Sequence, residues 1–221
     1  MRNAFSKILK GYQSFREKYA HGDQSVMRYL SNYGQQPQIM VVACCDSRVD
    51  PALILQCDPG DLFVVRNVAN IVPPYEKDDA HHGTSAALEF GVRVLKVKHL
   101  ILLGHSQCGG ILALLQNYNL TRASENSVTA VKDNDKSRAS LMEDDFITSW
   151  VSLIKTQTLP HDSDDCAKLA LHQSYHNCMT FPWIKDEVIQ QKLQIHQWFF
   201  DIKLGQIFTY NDLNKNYEGL D

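Results

Sequence analysis

The stretch IMVVACCDSR, residues 39–48, does most to define the fold of this protein. It begins with five consecutive apolar residues, Ile39 to Ala43. An uninterrupted apolar run of this length is typical of a strand that is buried on both faces, as strands are in parallel sheets. Thiol and charged side chains follow at once, where such a strand would stop. The stretch therefore predicts a parallel strand with reactive groups at its carboxyl end.

The residues that follow continue this pattern. Helix and strand alternate over four predicted segments: Pro51–Gln56, Leu62–Val65, Gly83–Val94 and Leu100–Leu103. Such alternation favours a parallel sheet with right-handed crossovers. Near the end, a hairpin is predicted from Gln194–Ile202 and Gln206–Tyr210. We therefore predict an α/β fold in a single domain of residues 1–221, with a mostly parallel central sheet of four strands plus an antiparallel edge strand, flanked by helices.

Three segments lie outside this alternation. Residues 3–19 place aromatic and aliphatic side chains at helical spacing, which predicts an amphipathic helix that must dock on another surface. Asn117–Asp145 is polar and aperiodic, which predicts an excursion over the surface. Helices are predicted at Phe146–Thr156 and at Ser163–Met179, the latter with Ser163 as its N-cap.

Composition excludes several classes of function. The chain has 221 residues, with 22 Lys and Arg against 25 Asp and Glu, so its formal net charge is −3 and nucleic acid is not an expected partner. No apolar run is long enough for a transmembrane helix or a secretory signal, so a membrane is not expected either. Six cysteines are too few for a disulfide scaffold, so we expect the protein to reside in the reducing cytoplasm.

A zinc site is predicted where the strands end. Cys44 ends the first strand, and His105 and Cys108 follow the third. Sites in open α/β sheets are built at the carboxyl ends of strands, so these loops can meet there. Two thiols and an imidazole suit zinc, and three protein ligands leave a position open, as in catalytic sites. Alternatively, Asp46 is a fourth ligand and the site is structural and inert.

Asp46 and Arg48 form a predicted pair beside the first cysteine. They are two positions apart, hence on one side of an extended segment, where the guanidinium would hold the carboxylate ionised and oriented. Such a carboxylate could accept a hydrogen bond from zinc-bound water.

These motifs resemble the β-class carbonic anhydrases. The resemblance rests on C-x-D-x-R at Cys44–Arg48, on H-x-x-C-G-G at His105–Gly110 and on the stretch Pro59–Asn70 between them. It extends over nearly the whole chain and is weakest across the polar excursion. Residues 71–75 (IVPPY) and Gly83-Thr84 are similar to the plant-like branch.

The resemblance implies roles at matching positions. Cys44, His105 and Cys108 would hold one Zn²⁺ per subunit, and Asp46 with Arg48 would form the catalytic dyad. Five positions would contact substrate: the amide of Gln35, the backbone N–H of Gly109, and an apolar wall of Phe63, Val68 and Phe90. Without the resemblance, core packing would be the expected role of the three wall side chains.

This chain departs from the family pattern at three positions. Cys45 replaces a usual serine, Phe90 stands where plant-like members usually have tyrosine, and Gln197 interrupts a His-Gly-Trp pattern at residues 196–198. Val41 stands where the branch with an allosteric bicarbonate pocket has tryptophan. We therefore expect a zinc site with an open coordination position and no allosteric regulation by bicarbonate.

The resemblance implies a lyase that catalyses the reversible hydration of carbon dioxide to bicarbonate and a proton by zinc-bound hydroxide. It also implies that the helix at 3–19 packs on a partner subunit. The expected assembly is a homodimer at least, and a homotetramer is also open. Two alternatives remain at this stage. One is a hydrolase of the same fold for carbonyl sulfide or carbon disulfide. The other is a non-catalytic, zinc-stabilised thiol-sensing module in which Cys44 and Cys45 respond to oxidants.

Overall fold

The structure, a computed structural model, describes residues 3–78, 80–126, 146–156 and 158–220. Its centre is a β-sheet. The strands are β1 (Ile39–Cys44), β2 (Leu62–Asn67), β3 (His99–His105), β4 (Gln194–Asp201), β5 (Gln206–Asn211) and β6 (Asn216–Gly219). Within the described residues they form one six-stranded sheet in the order β2-β1-β3-β4-β5-β6.

The sheet is parallel from β2 to β4 and antiparallel beyond. β1 pairs in parallel with both β2 and β3, and β3 pairs in parallel with β4. β5 and β6 then add by antiparallel pairing, so the predicted α/β class, the four parallel strands and the hairpin are confirmed. The antiparallel edge has two strands where one was predicted. The short polar strand β6, NYEG, has no apolar alternation that could have revealed it.

Helices flank the sheet. They are α1 (Ala4–Phe15), α2 (Val26–Tyr33), α3 (Pro51–Ile54), α4 (Gly83–Glu89), α5 (Gly109–Asn126), α6 (Phe146–Val151), α7 (Ser163–Cys178) and α8 (Pro182–Ile189). α1 and α4 each continue into a π-helical turn, at Arg16–Ala20 and Phe90–Val94, which brings both close to their predicted lengths. The prediction missed α2 and α8.

Three helix predictions need correction. α5 runs to Asn126 and so occupies the start of the stretch predicted as a surface excursion, whose residues 127–145 lie outside the described part of the chain. The helix predicted to reach Thr156 ends at Val151. The N-cap of α7 is Asp162 and not Ser163: its carboxylate accepts from the backbone N–H groups of Asp164 at 2.9 Å and Asp165 at 3.0 Å. A carboxylate is a stronger acceptor than a hydroxyl.

The core lies around β1 and β3. From Met40 to Cys44 no residue of β1 is more than 5% exposed, and β3 is equally buried from Leu100 onwards. These adjacent strands end side by side in the middle of the sheet. The apolar side chains of α1 are exposed in contrast, with Phe5 at 65% and Ile8 at 66%. Among the described helices, none combines the length and apolarity that crossing a bilayer requires.

Candidate metal centre

Two cysteines and a histidine meet at the carboxyl edge of the sheet. Cys44 is the last residue of β1, His105 is the last residue of β3, and Cys108 directly precedes α5. Their potential ligand atoms all lie within 4.8 Å of one another, and the two Sγ atoms are 3.9 Å apart. Each residue is 5% exposed or less. The structure therefore brings together the three residues predicted to bind metal, which we call the Cys44-His105-Cys108 cluster.

The imidazole of His105 is prepared for a ligand. Its Nδ1–H donates to the carbonyl oxygen of Ser106 at 2.9 Å, which leaves the lone pair on Nε2. That Nε2 atom is buried and has no hydrogen-bond partner among the described residues. An unpartnered buried nitrogen costs free energy, so the atom fits a cation bound inside the cluster.

The thiols of Cys44 and Cys108 share one proton through a hydrogen bond between their sulfur atoms. The hydrogen bond from Cys108 lowers the pKa of Cys44 to about 4. That bond, together with burial and the charge of Cys44, raises the pKa of Cys108. The backbone N–H groups of Gly110 and Ile111 favour the Cys108 thiolate, as predicted for the start of a helix, but the other effects are larger. A divalent cation between the sulfurs would stabilise both thiolates, and this donor set is one that zinc prefers.

Asp46 and Arg48 form the predicted ion pair beside the cluster. Arg48 donates from Nε to Oδ1 of Asp46 at 3.0 Å and from Nη2 to Oδ2 at 2.7 Å. The guanidinium holds the pKa of the carboxyl well below its usual range, and the backbone N–H of Arg48 contributes. The backbone is a turn here, and the expectation of an extended segment was wrong, since the N–H of Val49 donates to the carbonyl of Asp46.

Arg66 fixes this turn, and the sequence analysis missed its role. Its guanidinium donates to the carbonyls of Cys44 at 2.9 Å and Asp46 at 2.7 Å and forms an ion pair with Asp50 at 2.7 Å. Arg66 pairs in register with Ala43, one residue before the first ligand. A lone cation at the end of an otherwise apolar strand was the signal that could have revealed it.

The second loop is joined to the first and to α7. Arg48 Nη2 donates to the carbonyl of Gln107 at 3.2 Å, and the N–H of Gln107 donates to the Asp164 carboxylate at 2.8 Å. A Cβ atom added at Gly110 would lie 2.7 Å from Cγ1 of Val68. Only glycine allows α5 to start this close to the segment after β2, so the loop that joins His105 to Cys108 is held from three sides.

Two of the predicted substrate contacts lie near this loop. Val68 follows β2, is half-buried, and packs against Gly110; its carbonyl accepts from the Trp150 indole N–H at 2.8 Å. Gly109 follows Cys108 and opens α5. A Cβ added at Gly109 would contact none of the described atoms within 4 Å, so there is space beside it.

The other three predicted contacts are not brought to the cluster within one chain. Phe63 and Phe90 pack on each other, with ring centroids 5.8 Å apart. Phe63 is in register with Met40, which lies four residues before Cys44. The backbone positions of Phe63 and Cys44 are therefore separated by about 13 Å along the strand direction. Phe90 is 42% exposed, and Gln35 is also exposed, in the segment between α2 and β1. Their roles stay predictions.

Comparison with known proteins identifies a family. A family model described as carbonic anhydrase matches residues 39–207, which include the cluster and the parallel strands. The chain is 35% identical over 210 residues to β carbonic anhydrase 5, chloroplastic, of Arabidopsis thaliana, covering 90% of this chain and 62% of that protein. It is 32% identical over 205 residues to a carbonic anhydrase of Synechocystis sp., covering 93% of this chain and 70% of that protein.

Solved structures agree with this result. The β-carbonic anhydrase CcaA has a TM-score of 0.76 at 28% identity, covering 99% of this chain and all of that one. One of the two tetrameric β-carbonic anhydrases of Sordaria macrospora has a TM-score of 0.71 at 27% identity, with both chains fully covered. The sequence motifs, the sheet that joins them and these relatives lead to one conclusion, which is that the chain belongs to the β-class carbonic anhydrases.

Proposed function

We propose that this protein catalyses the reversible hydration of carbon dioxide to bicarbonate and a proton, with one Zn²⁺ per chain held by Cys44, His105 and Cys108. The observation that carries the proposal is the buried convergence of these three donors beside an ionised carboxylate. When bound, zinc supplies a Lewis acid that lowers the pKa of water to about 7, a value known for a carbonic anhydrase with three histidine ligands.

Asp46 orients the attacking oxygen in this proposal. Because Arg48 keeps its carboxyl ionised, Asp46 can only accept hydrogen bonds. A water or hydroxide beside it must therefore point a proton at Asp46 and a lone pair elsewhere. Both oxygens of Asp46 are already bound by Arg48, which favours this role over the alternative in which Asp46 is a fourth metal ligand.

Substrate lies between the cluster and Gly109 in this proposal. There is open space where a Cβ would stand at Gly109, and in this proposal the backbone N–H of Gly109 donates to an oxygen that becomes negative as bicarbonate forms. Val68 supplies apolar surface on the neighbouring segment, which suits an uncharged gas better than an ion.

The remaining contacts are proposed to come from a second copy of the chain. Phe63, Phe90 and Gln35 lie away from the cluster of their own chain, on surfaces that are at least partly exposed. The exposed aliphatic and aromatic face of α1 gives a dimer a surface to bury. A homodimer is the smallest assembly that completes the site, and the assembly named for the Sordaria macrospora enzymes is a tetramer.

The reducing cytoplasm is the proposed location. All six cysteines lie in the described part of the chain and are free thiols. The cluster needs two of them reduced, since a metal binds the thiolate form.

Stopped-flow hydration of carbon dioxide, with zinc measured in the same samples, tests the proposal. We expect one zinc per chain and activity that is lost with the metal and returns with it. Rates with carbonyl sulfide and carbon disulfide, measured alongside, should be much lower. Stoichiometric zinc without hydration activity would refute the proposal and favour the thiol-sensing alternative.

A further inference from the structure

Two histidines on α7 face each other one helical turn apart. His172 and His176 are at i and i+4, and their Nε2 atoms are 3.0 Å apart. His172 is half-buried against β4 and His176 is exposed, so the pair lies at the surface. Neither residue belongs to the Cys44-His105-Cys108 cluster or to the contacts proposed for carbon dioxide.

Gln197 determines which nitrogen of His172 is free. Its Oε1 lies 3.3 Å from Nδ1 of His172, and a carboxamide oxygen only accepts hydrogen bonds, so Nδ1 carries the proton. The lone pair of His172 is then on Nε2, directed at His176. Gln197 is itself only 5% exposed, so its orientation is fixed by packing. This residue is also one of the departures from the family pattern, where glycine would give His172 no such partner.

The surroundings favour the neutral imidazole that binds metal. Partial burial of its ring, with a smaller contribution from His172, lowers the pKa of His176, which favours its neutral form. The rings of Tyr175 and Tyr210 pack around His172 at centroid distances of 6.4 and 5.5 Å, which restricts its rotation.

The spacing of the nitrogens suits two adjacent coordination positions. With metal–nitrogen bonds of about 2.1 Å, atoms 3.0 Å apart subtend an angle of about 90° at the metal. This is the angle between neighbouring ligands in octahedral or square-planar complexes, which Ni²⁺ and Cu²⁺ form with nitrogen ligands.

We propose that His172 and His176 form a second metal site, in which both Nε2 atoms bind a divalent transition-metal ion and water completes the coordination. Gln197 is a positioning residue there, because it holds His172 in the metal-binding tautomer. Binding requires that His176 move its proton from Nε2 to Nδ1, where water can accept it, and that the two rings turn so that both Nε2 lone pairs point at the ion.

Calorimetric titration of the zinc-loaded protein with Ni²⁺ at pH 7.5 tests this site. We expect one additional equivalent to bind while the zinc content stays unchanged. His176→Ala and His172→Ala should each weaken binding by about tenfold or more, because one ligand cannot replace two held on a rigid helix. Gln197→Ala should weaken it by about tenfold at unchanged helix content, as loss of a positioning partner does.

The chain offers a matched control in His99 and His196. Their ring nitrogens are 3.1 Å apart, but in the described part of the chain no further side chain bonds either ring. His99→Ala should therefore leave Ni²⁺ binding unchanged. The proposal is overturned if no extra equivalent binds, if binding survives both α7 substitutions, or if His99→Ala weakens it equally.

Discussion

The metal cluster and the predicted apolar wall differ in how complete they are within one chain. The cluster is buried, and its loops are joined by hydrogen bonds from Arg48, Arg66 and Gln107. Phe63 lies about 13 Å from the level of Cys44 along the strands, towards their amino ends. Phe90 packs on it, and both rings stay partly exposed. In the proposed dimer, each chain builds its own metal centre and a second chain completes the pocket around it.

Loss of a cluster thiolate should have the largest effect. Cys108→Ser replaces a soft ligand by a hydroxyl that does not ionise near neutral pH, so we expect zinc and all measurable hydration to be lost. Zinc content and stopped-flow rates measure this. Cys57→Ser is the matched control, since Cys57 is a half-buried thiol outside the cluster and should keep both properties. Full activity in Cys108→Ser would contradict the assignment.

Separating the subunits should abolish the pocket and spare the metal. Ile8→Glu combined with Tyr12→Glu puts charges on the exposed apolar face of α1. We expect monomers by light scattering, one zinc per chain, and hydration reduced about 100-fold, the scale of losing substrate positioning. Lys7→Glu with Lys10→Glu changes the charge of the same helix and should leave the assembly intact. A fully active monomer would show that one chain is sufficient.

Removal of the Asp46 partner should reduce turnover without loss of zinc. Arg48→Ala frees the carboxylate and breaks the link to Gln107, so we expect kcat to fall about 10- to 100-fold, as for other residues that orient a metal site. Arg93→Ala removes a guanidinium from an exposed ion pair with Glu89 and should have no such effect. An unchanged kcat in Arg48→Ala would mean that the pair is only structural.

Neighbouring glycines should differ in their tolerance of a methyl group. Gly110→Ala places a Cβ 2.7 Å from Val68 and 3.3 Å from the backbone nitrogen of Ala69, so we expect a loss of about 1–3 kcal/mol in the free energy of unfolding. Gly109→Ala meets no described atom within 4 Å and should change it by less than about 0.5 kcal/mol. Urea denaturation measures both, and equal losses would contradict the packing described here.

The sequence was most informative where one physical signal dominated. Uninterrupted apolar runs located β1, β2 and β3, and the chemistry at their ends located the cluster. β3 is longer than predicted because its final residues, Gly104 and His105, interrupt the apolar run while remaining paired with β4. His105 is consequently held by the sheet and not by a loop.

What the sequence could not provide depends on contacts between distant segments. Arg66 acts through the backbone carbonyls of Cys44 and Asp46, 22 and 20 residues earlier in the chain, and Gln197 acts through a histidine 25 residues earlier. The helix α2 was missed; it is only eight residues long, and none of its residues is buried in the core of this chain. The resemblance assigned Phe63 and Phe90 to the pocket, but a single chain cannot test that assignment.

A crystal structure of the zinc-loaded protein near neutral pH would examine the metal assignment most directly. We expect one ion bonded to Sγ of Cys44, Nε2 of His105 and Sγ of Cys108, at about 2.3 Å for sulfur and 2.0–2.1 Å for nitrogen. Asp46 should remain on Arg48, with a water molecule on the metal. Zinc bonded to the carboxylate of Asp46, or bound away from these three side chains, would contradict the proposed site.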